Sequence, residues 1–134
     1  MYEYNATVKS VYDGDTVTLD IDLGCFTWLA SEKCRLFGID TPELRGSAEE
    51  KRAGKAARDF LRKIMPNGKR IRIKTQLDKT GKYGRLLVNL FMHESELTNY
   101  IEASTLNMLK DVTNGYVDLN KLLVAEGHAV TKFY

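Results

Sequence analysis

Two runs of strict alternation, separated by an Asp-Gly turn, constrain this chain more than any other feature. Tyr2, Tyr4, Ala6 and Val8 are apolar and interleave with Glu3, Asn5, Thr7 and Lys9. Val17, Leu19, Ile21 and Leu23 interleave with Thr16, Thr18, Asp20 and Asp22. A period of two is the pattern of a half-buried strand. Asp13-Gly14 marks a turn between the runs, so residues 2–9 and 16–23 read as a hairpin. Gly24 punctuates the next turn, and Trp28 is expected in the loop around it. Residues 33–39 (KCRLFGI) suit a third strand, mostly apolar and buried.

The pattern changes after Asp40-Thr41-Pro42-Glu43. Pro42 turns the backbone of Thr41 away from helix, so this stretch is a loop. Ser47 and Glu50 have capping-box spacing. Behind them Ala53, Ala56, Ala57, Phe60, Leu61 and Ile64 form one helical stripe, and Pro66-Asn67-Gly68 ends the helix. Residues 69–76 alternate as a strand with Arg70, Arg72 and Lys74 on one face. Residues 85–92 alternate with Leu86, Val88, Leu90 and Met92 on the apolar face. Residues 95–110 are weakly helical through Leu97, Tyr100, Ile101 and Met108. Asn114-Gly115 is a turn. Asp118 suits the N-cap of a short helix carrying Leu119, Leu122 and Leu123, and Gly127 suits its stop. Five short strands, a helix after the third and a helix near the end fit a mainly β, α+β fold: a five-stranded Greek-key barrel of the OB type with two to three packed helices. No repeat or linker interrupts residues 1–134, which read as a single domain.

At 134 residues, 43% hydrophobic and 28% charged, the chain can bury a core and is not expected to be disordered. It has no apolar run near the length of a transmembrane span. Its first residues, MYEYNATVKS, lack the basic and apolar regions of a signal peptide. A cytoplasmic monomer is therefore expected, or a secreted protein if the chain is a mature fragment. Cys25 and Cys34 read as two reduced thiols, with pairing across a hairpin as the alternative. Together with His93 and His128 they give no zinc-site spacing. A net charge of +2 permits a nucleic-acid partner without demanding one.

Asp15 shares the parity of Val17 and Leu19. A carboxylate aimed inward at a barrel end needs a partner or a metal, although Asp15 alone reads first as a turn cap. Asp40 ends the third strand, where antiparallel pairing can set it beside Asp15. Two close carboxylates repel, and a hard divalent cation with a loop carbonyl as a further oxygen ligand removes the repulsion. An ion pair with Arg35 is the competing reading. Arg35 and Arg85 can grip a phosphodiester through forked hydrogen bonds, or serve as a structural ion pair and a strand-end charge. Glu43 can orient or deprotonate a water, or be a surface glutamate. In residues 78–85 (DKTGKYGR), Lys82 and Tyr83 can meet a phosphate and a base. The basic helix face, Lys51, Arg52, Lys55, Arg58, Arg62 and Lys63, reads as solvated.

Joined in order, these pieces resemble the thermonuclease, or staphylococcal nuclease-like, family. The matching stretches are Asp13-Gly14-Asp15-Thr16, Arg35 with Asp40-Thr41-Pro42-Glu43, Asp78-Lys79 with Lys82-Tyr83-Gly84-Arg85, and Asn120 to Gly127. The resemblance implies calcium-dependent hydrolysis of DNA or RNA phosphodiesters leaving 3′-phosphates, with magnesium or manganese as alternative ions. It implies Asp15, Asp40 and the Thr41 carbonyl as metal ligands, and Arg35 and Arg85 as phosphate-binding catalytic residues. It implies Glu43 as general base, and Lys82 and Tyr83 as substrate-binding residues. Three departures stand out: a longer connection between the second and third strands holding Cys25 and Trp28, an insertion at 93–113, and an end at Tyr134 in place of a C-terminal helix. Phe133 and Tyr134 fall near the family's base-stacking tyrosines. The alternatives are a nucleic-acid-binding barrel without catalysis and a protein-interaction barrel whose Asp and Arg residues are ion pairs.

Overall fold

The computed structural model describes residues 2–76 and 85–133. Its strands are β1 (Glu3–Asp13), β2 (Thr16–Gly24), β3 (Thr27–Leu36), β4 (Ile39–Asp40), β5 (Arg70–Gln76), β6 (Leu86–His93), β7 (Tyr116–Asp118) and β8 (Val130–Thr131). Its helices are α1 (Ala48–Ile64), α2 (Ala103–Leu109) and α3 (Leu119–Ala125), with a 3-10 turn at Glu94–Glu96. β1 pairs antiparallel with both β2 and β5, β2 with β3, and β5 with β6. A short parallel pairing of β3 with β6 closes the sheet. The result is a closed, mixed five-stranded barrel, β3-β2-β1-β5-β6. β7 is added outside β6, and β4 and β8 form a separate ribbon. This is the OB-type α+β architecture that the order of elements points to.

β1 pairs with β2 and β5 over Asn5–Thr7 and is bulged beyond that stretch. Its register shifts between Val8 and Ser10 and between Val11 and Asp13, so Ala6, Val8 and Val11 all face inward. Val17, Leu19, Ile21, Cys34, Leu36, Ile73, Val88 and Leu90 join them in the core. Leu61, Ile64 and Met65 from α1, and Leu119, Leu122 and Leu123 from α3, belong to the same cluster. No helix among the described residues is long and apolar enough to cross a membrane.

The structure corrects four sequence expectations. The third strand starts at Thr27 and ends at Leu36, in place of 33–39, so Trp28 lies in β3 opposite Asp22 rather than in a loop. Residues 27–31 of β3 are exposed, so they carry no amphipathic alternation; β2 alone holds them in line. Leu23, expected on the apolar face, extends past the core and is exposed. In α1 the buried stripe is Gly54, Ala57, Leu61 and Ile64, while Ala53 and Ala56 are exposed. Alanine fits either face of a helix and glycine counts toward neither, so spacing alone rotated the stripe. The weakly helical stretch 95–110 divides into the 3-10 turn and α2, with Leu97, Ile101 and Leu106 buried and Tyr100 and Met108 exposed.

Both expected caps form. Ser47 accepts a hydrogen bond from Glu50 N at 3.2 Å, and Asp118 accepts from Asn120 N at 2.9 Å. Burial raises the Asp118 carboxyl above its ordinary range, against these donors and the amide of Asn89. Asn120, in the first turn of α3, is almost fully buried. Its Oδ1 accepts from Leu90 N at 3.2 Å, and its Nδ2 donates to Phe37 O at 2.9 Å and Val88 O at 3.0 Å. One amide thus ties α3 to β6 and to the turn after β3.

Asn120→Ala is expected to lower unfolding free energy by roughly 2–4 kcal/mol, because it strands buried backbone groups. Urea denaturation checks this, and an unchanged midpoint would show that the amide carries no such load. The two cysteines are free, Cys25 exposed in the β2–β3 turn and Cys34 buried. Burial pushes the Cys34 thiol up to about 12. A thiol reagent at about pH 8 should therefore titrate one cysteine in the native protein and both in denaturant, since the thiolate is the reactive form.

Candidate functional site

Four of the residues singled out by sequence meet at one rim of the barrel. Asp15 lies in the β1–β2 turn, just before β2. Its carbonyl accepts from Leu36 N at 2.9 Å, which ties this turn to the end of β3. Its side chain is only 13% exposed, consistent with a carboxylate that needs partners. Asp15 Oδ2 accepts from the backbone N–H of Thr41 at 3.0 Å and lies 3.4 Å from Arg35 Nη2. The same Nη2 donates to Asp40 Oδ1. Arg35 Nη1 donates to Leu36 O at 2.9 Å. Arg35 is 12% exposed, and Asp40 is 46% exposed.

The convergence of Asp15 and Asp40 and the ion pair with Arg35, two competing readings of the sequence, therefore coexist. The guanidinium sits where the two carboxylates meet and answers both charges. Asp13 adds to the local negative charge. Its Oδ1 accepts from Asp15 N at 3.1 Å. Burial first, then the hydrogen bond and charge of Asp15, raise its carboxyl to about 6.

Two further residues are placed by the backbone. Arg85 immediately precedes β6, and the parallel register sets Cys34 opposite Leu86 and Arg35 opposite Leu87. Strand alternation then puts Arg85 on the outer side of the barrel that Arg35 and Leu87 share. Arg85 is half-buried. Glu43 is exposed in the loop after Thr41, and among the described residues no side-chain contact joins it to the carboxylate pair. Lys82 and Tyr83, with Asp78 and Lys79, lie outside the described residues, as does Tyr134. Phe133 is exposed, next to Lys132. On the basic face of α1, Arg62 has a structural job: its Nε and Nη2 donate to Val11 O at 3.0 and 2.8 Å.

Sequence reasoning missed Lys132 and Gly54, and the close approach at Gly14, all of which shape this rim. Lys132 follows β8, whose pairing with β4 sets Asp40 opposite Val130, and Lys132 N donates to Gly38 O at 2.8 Å. Its ammonium lies 3.9 Å from Asp40 Oδ1. Gly14 and Gly54 act through the side chain they lack. A Cβ on Gly14 would lie 2.8 Å from Thr41 Cγ2 and 2.9 Å from Ala57 Cβ. A Cβ on Gly54 would lie 2.7 Å from the carbonyl oxygen of Glu43 and 2.8 Å from that of Pro42. So α1 packs its glycine directly on the backbone of the loop that carries Thr41 and Glu43. Capping at Ser47 and Asp-Gly at the turn were visible in sequence, but this close approach was not.

The donor chemistry fits a hard divalent cation in kind. Two carboxylates stand within reach of one guanidinium nitrogen, and Thr41, whose N–H meets Asp15, is the residue whose carbonyl the resemblance implies as a further oxygen ligand. Among the described residues no three His, Cys, Asp or Glu side chains form a metal cluster, so such an ion would need its remaining ligands from carbonyl, water or a bound anion.

A family profile described as staphylococcal nuclease homologue matches residues 33–134. That span includes Arg35, Asp40, Thr41, Glu43 and Arg85, while Asp15 precedes it. The thermonuclease of Staphylococcus intermedius is 36% identical over 86 residues, covering 63% of this chain and 47% of that protein. Endonuclease YhcR of Bacillus subtilis (strain 168) is 31% identical over 120 residues, covering 85% of this chain and 9% of that protein. The chain thus spans about half of the first relative and under a tenth of the second.

Gly54→Ala is expected to destabilise the fold by roughly 1–3 kcal/mol through overpacking against backbone. Alanine's better helix propensity, worth about 1 kcal/mol, works the other way. Amide exchange over residues 41–46 should rise. A variant as stable as its parent, with unchanged exchange there, would show that α1 is not seated on this loop.

Proposed function

Because the chain belongs to the staphylococcal nuclease homologue family, we propose that it is a metal-dependent nuclease acting on phosphodiester bonds of DNA or RNA. The observation that carries this reading is the contact of Arg35 with both Asp15 and Asp40, with the Thr41 N–H fixing Asp15. A structural ion pair needs one carboxylate. Here a second carboxylate and a nearby carboxyl raised to about 6 crowd the same rim, which favours a site that takes up a cation.

In this reading Asp15, Asp40 and the Thr41 carbonyl hold a calcium ion, with magnesium or manganese as chemical alternatives. A bound ion of this class polarises a phosphoryl oxygen and acidifies a water. Arg35 and Arg85 donate to the non-bridging phosphate oxygens, where charge grows during attack. Glu43 accepts a proton from the attacking water. The water oxygen bonds to phosphorus in line with the 5′-oxygen, and that P–O bond breaks. The leaving 5′-oxygen takes a proton from solvent, so the products are a 3′-phosphate and a 5′-hydroxyl. Thr41 N–H and Gly54 keep the loop in place while this occurs. Lys82 and Tyr83 complete the substrate contacts that the family resemblance implies.

Arg35→Ala, Arg85→Ala and Glu43→Ala should each lower turnover by roughly 100-fold or more, the scale of such electrostatic groups. The assay uses single-stranded DNA, duplex DNA and RNA, each with calcium, magnesium or chelator. Cleavage restricted to added divalent ion supports the reading. Full turnover in chelator would remove the metal role, and full turnover in all three variants would remove the site assignment. Absence of cleavage in every condition would favour the alternative, a binding barrel without catalysis.

A further inference from the structure

A second cluster of charge and aromatic rings lies on the outer face of β5, β6 and β7. Strand alternation places Arg72, Lys74 and Gln76 of β5 outward, opposite Phe91, Asn89 and Leu87 of β6. Leu87 is also the partner of Arg35. The outward row of β6 therefore starts beside the candidate site and runs through Asn89 to Phe91. At about 3.3 Å per residue, Phe91 is roughly 13 Å from Leu87.

The cations and rings on this face are paired diagonally. Lys74 Nζ lies 5.2 Å from the centre of the Phe91 ring. The guanidinium of Arg72 lies 5.3 Å from the centre of the Tyr116 ring. Tyr116 is held edge-on by His93 at 5.5 Å. A shallow cleft runs between them, with Asp111 and Asn114 as its far wall. That wall is a fixed turn: Asp111 Oδ1 accepts from Thr113 N at 2.7 Å and from Asn114 N at 3.2 Å. Asp111 lies in the segment 93–113 that the resemblance marks as an insertion, and Asn114 directly follows it. Among the described residues Asp118, opposite Phe91, accepts from Asn89 Nδ2 at 3.2 Å, and Glu3 bridges Lys74 at 3.3 Å and Arg72 at 3.6 Å. A carboxylate spanning two cations is the contact that a phosphate would replace.

We propose that this outer face is a track for single-stranded nucleic acid leaving the candidate site. Phosphates displace Glu3 from Arg72 and Lys74, and bases stack on Tyr116 and Phe91. Interleaved cations and rings suit a strand whose bases are unpaired, because every base has a face to stack while duplex bases are hidden. A length of roughly 13 Å admits about four stacked nucleotides. The track extends the nuclease reading, on which it depends for where the strand enters.

Binding can be measured apart from cleavage. Fluorescence anisotropy in chelator, with oligothymidylates of about four and about twelve nucleotides, reads affinity against salt. Wild type should prefer the longer strand. Arg72→Ala with Lys74→Ala should reduce its salt slope by about 1.4, at about 0.7 per lost single-strand contact. Tyr116→Ala should weaken it by about fivefold or more, as loss of one stacked base does. Glu3→Gln should tighten it. All three effects should be smaller on the short strand, which can fill the track or the candidate site but not both. Equal affinity for both lengths in the wild type, an unchanged slope in the double variant, or equal losses on duplex would each overturn the track. If the losses appear on the long strand while no substrate is ever cleaved, the track stands and the nuclease reading fails. If cleavage occurs and the slopes do not change, the reverse holds.

Discussion

Three residue pairs, Cys34 with Leu86, Arg35 with Leu87 and Leu36 with Val88, close the barrel. Both the fold and the site rest on that parallel pairing. It joins segments distant in sequence, so it is formed against loop-closure entropy and must be locked from outside. Asn120 supplies the lock by bonding Phe37 O, Val88 O and Leu90 N at once. The pairing also couples packing to chemistry. Cys34, Leu36 and Val88 are buried, and alternation then turns Arg35 and Leu87 outward. A slip of one residue would drive Arg35 into the core and its partners into water. The hydrophobic register therefore aims the guanidinium.

Once aimed, Arg35 needs charge around it, since a guanidinium this enclosed is costly without partners. Asp15 and Asp40 provide two negative charges, against Arg35 and the more distant Lys132. Asp13 adds a third carboxyl, whose ionisation is disfavoured by burial and by the neighbouring Asp15. On the proposed function, the arrangement lets partners be exchanged at little electrostatic cost. A divalent ion arriving at the carboxylates and a phosphate arriving at the arginines bring opposite charges together. The carboxylates and the guanidinium, held against each other at rest, would each face a new partner of the sign they already accept.

Much of this was legible in the sequence where a local period or cap carried it. The first hairpin, α1 behind Ser47, α3 behind Asp118, and the strands on either side of residues 77–84 follow from spacing. The parity of Asp15 with Val17 identified a carboxylate in need of partners. What was not legible depended on distant neighbours. The first half of β3 has no buried face, so only its pairing with β2 makes it a strand. β7 and β8 are too short to show a period. Lys132 gains meaning only when β8 lies beside β4. Thr41 entered through its carbonyl, by family resemblance, while the structure shows its N–H holding Asp15. Gly14 and Gly54 carry no side-chain signal at all.

The loop from Asp40 to Glu43 shows why those missed contacts matter. Past β4 it has no regular structure of its own, yet it is restrained from three directions. The ribbon β4–β8 holds one end, the Asp15 carboxylate holds Thr41 N, and the backbone of α1 at Gly54 presses on Pro42 and Glu43. Two of these restraints come from rigid elements, the barrel rim and a capped helix of 17 residues. The third is only two residues long on each side, and Val130 within it is exposed. A pairing that small and that exposed opens more readily than the barrel. Asp40 is the more exposed carboxylate and is carried by the shortest of the three restraints, while Asp15 is held at the barrel rim.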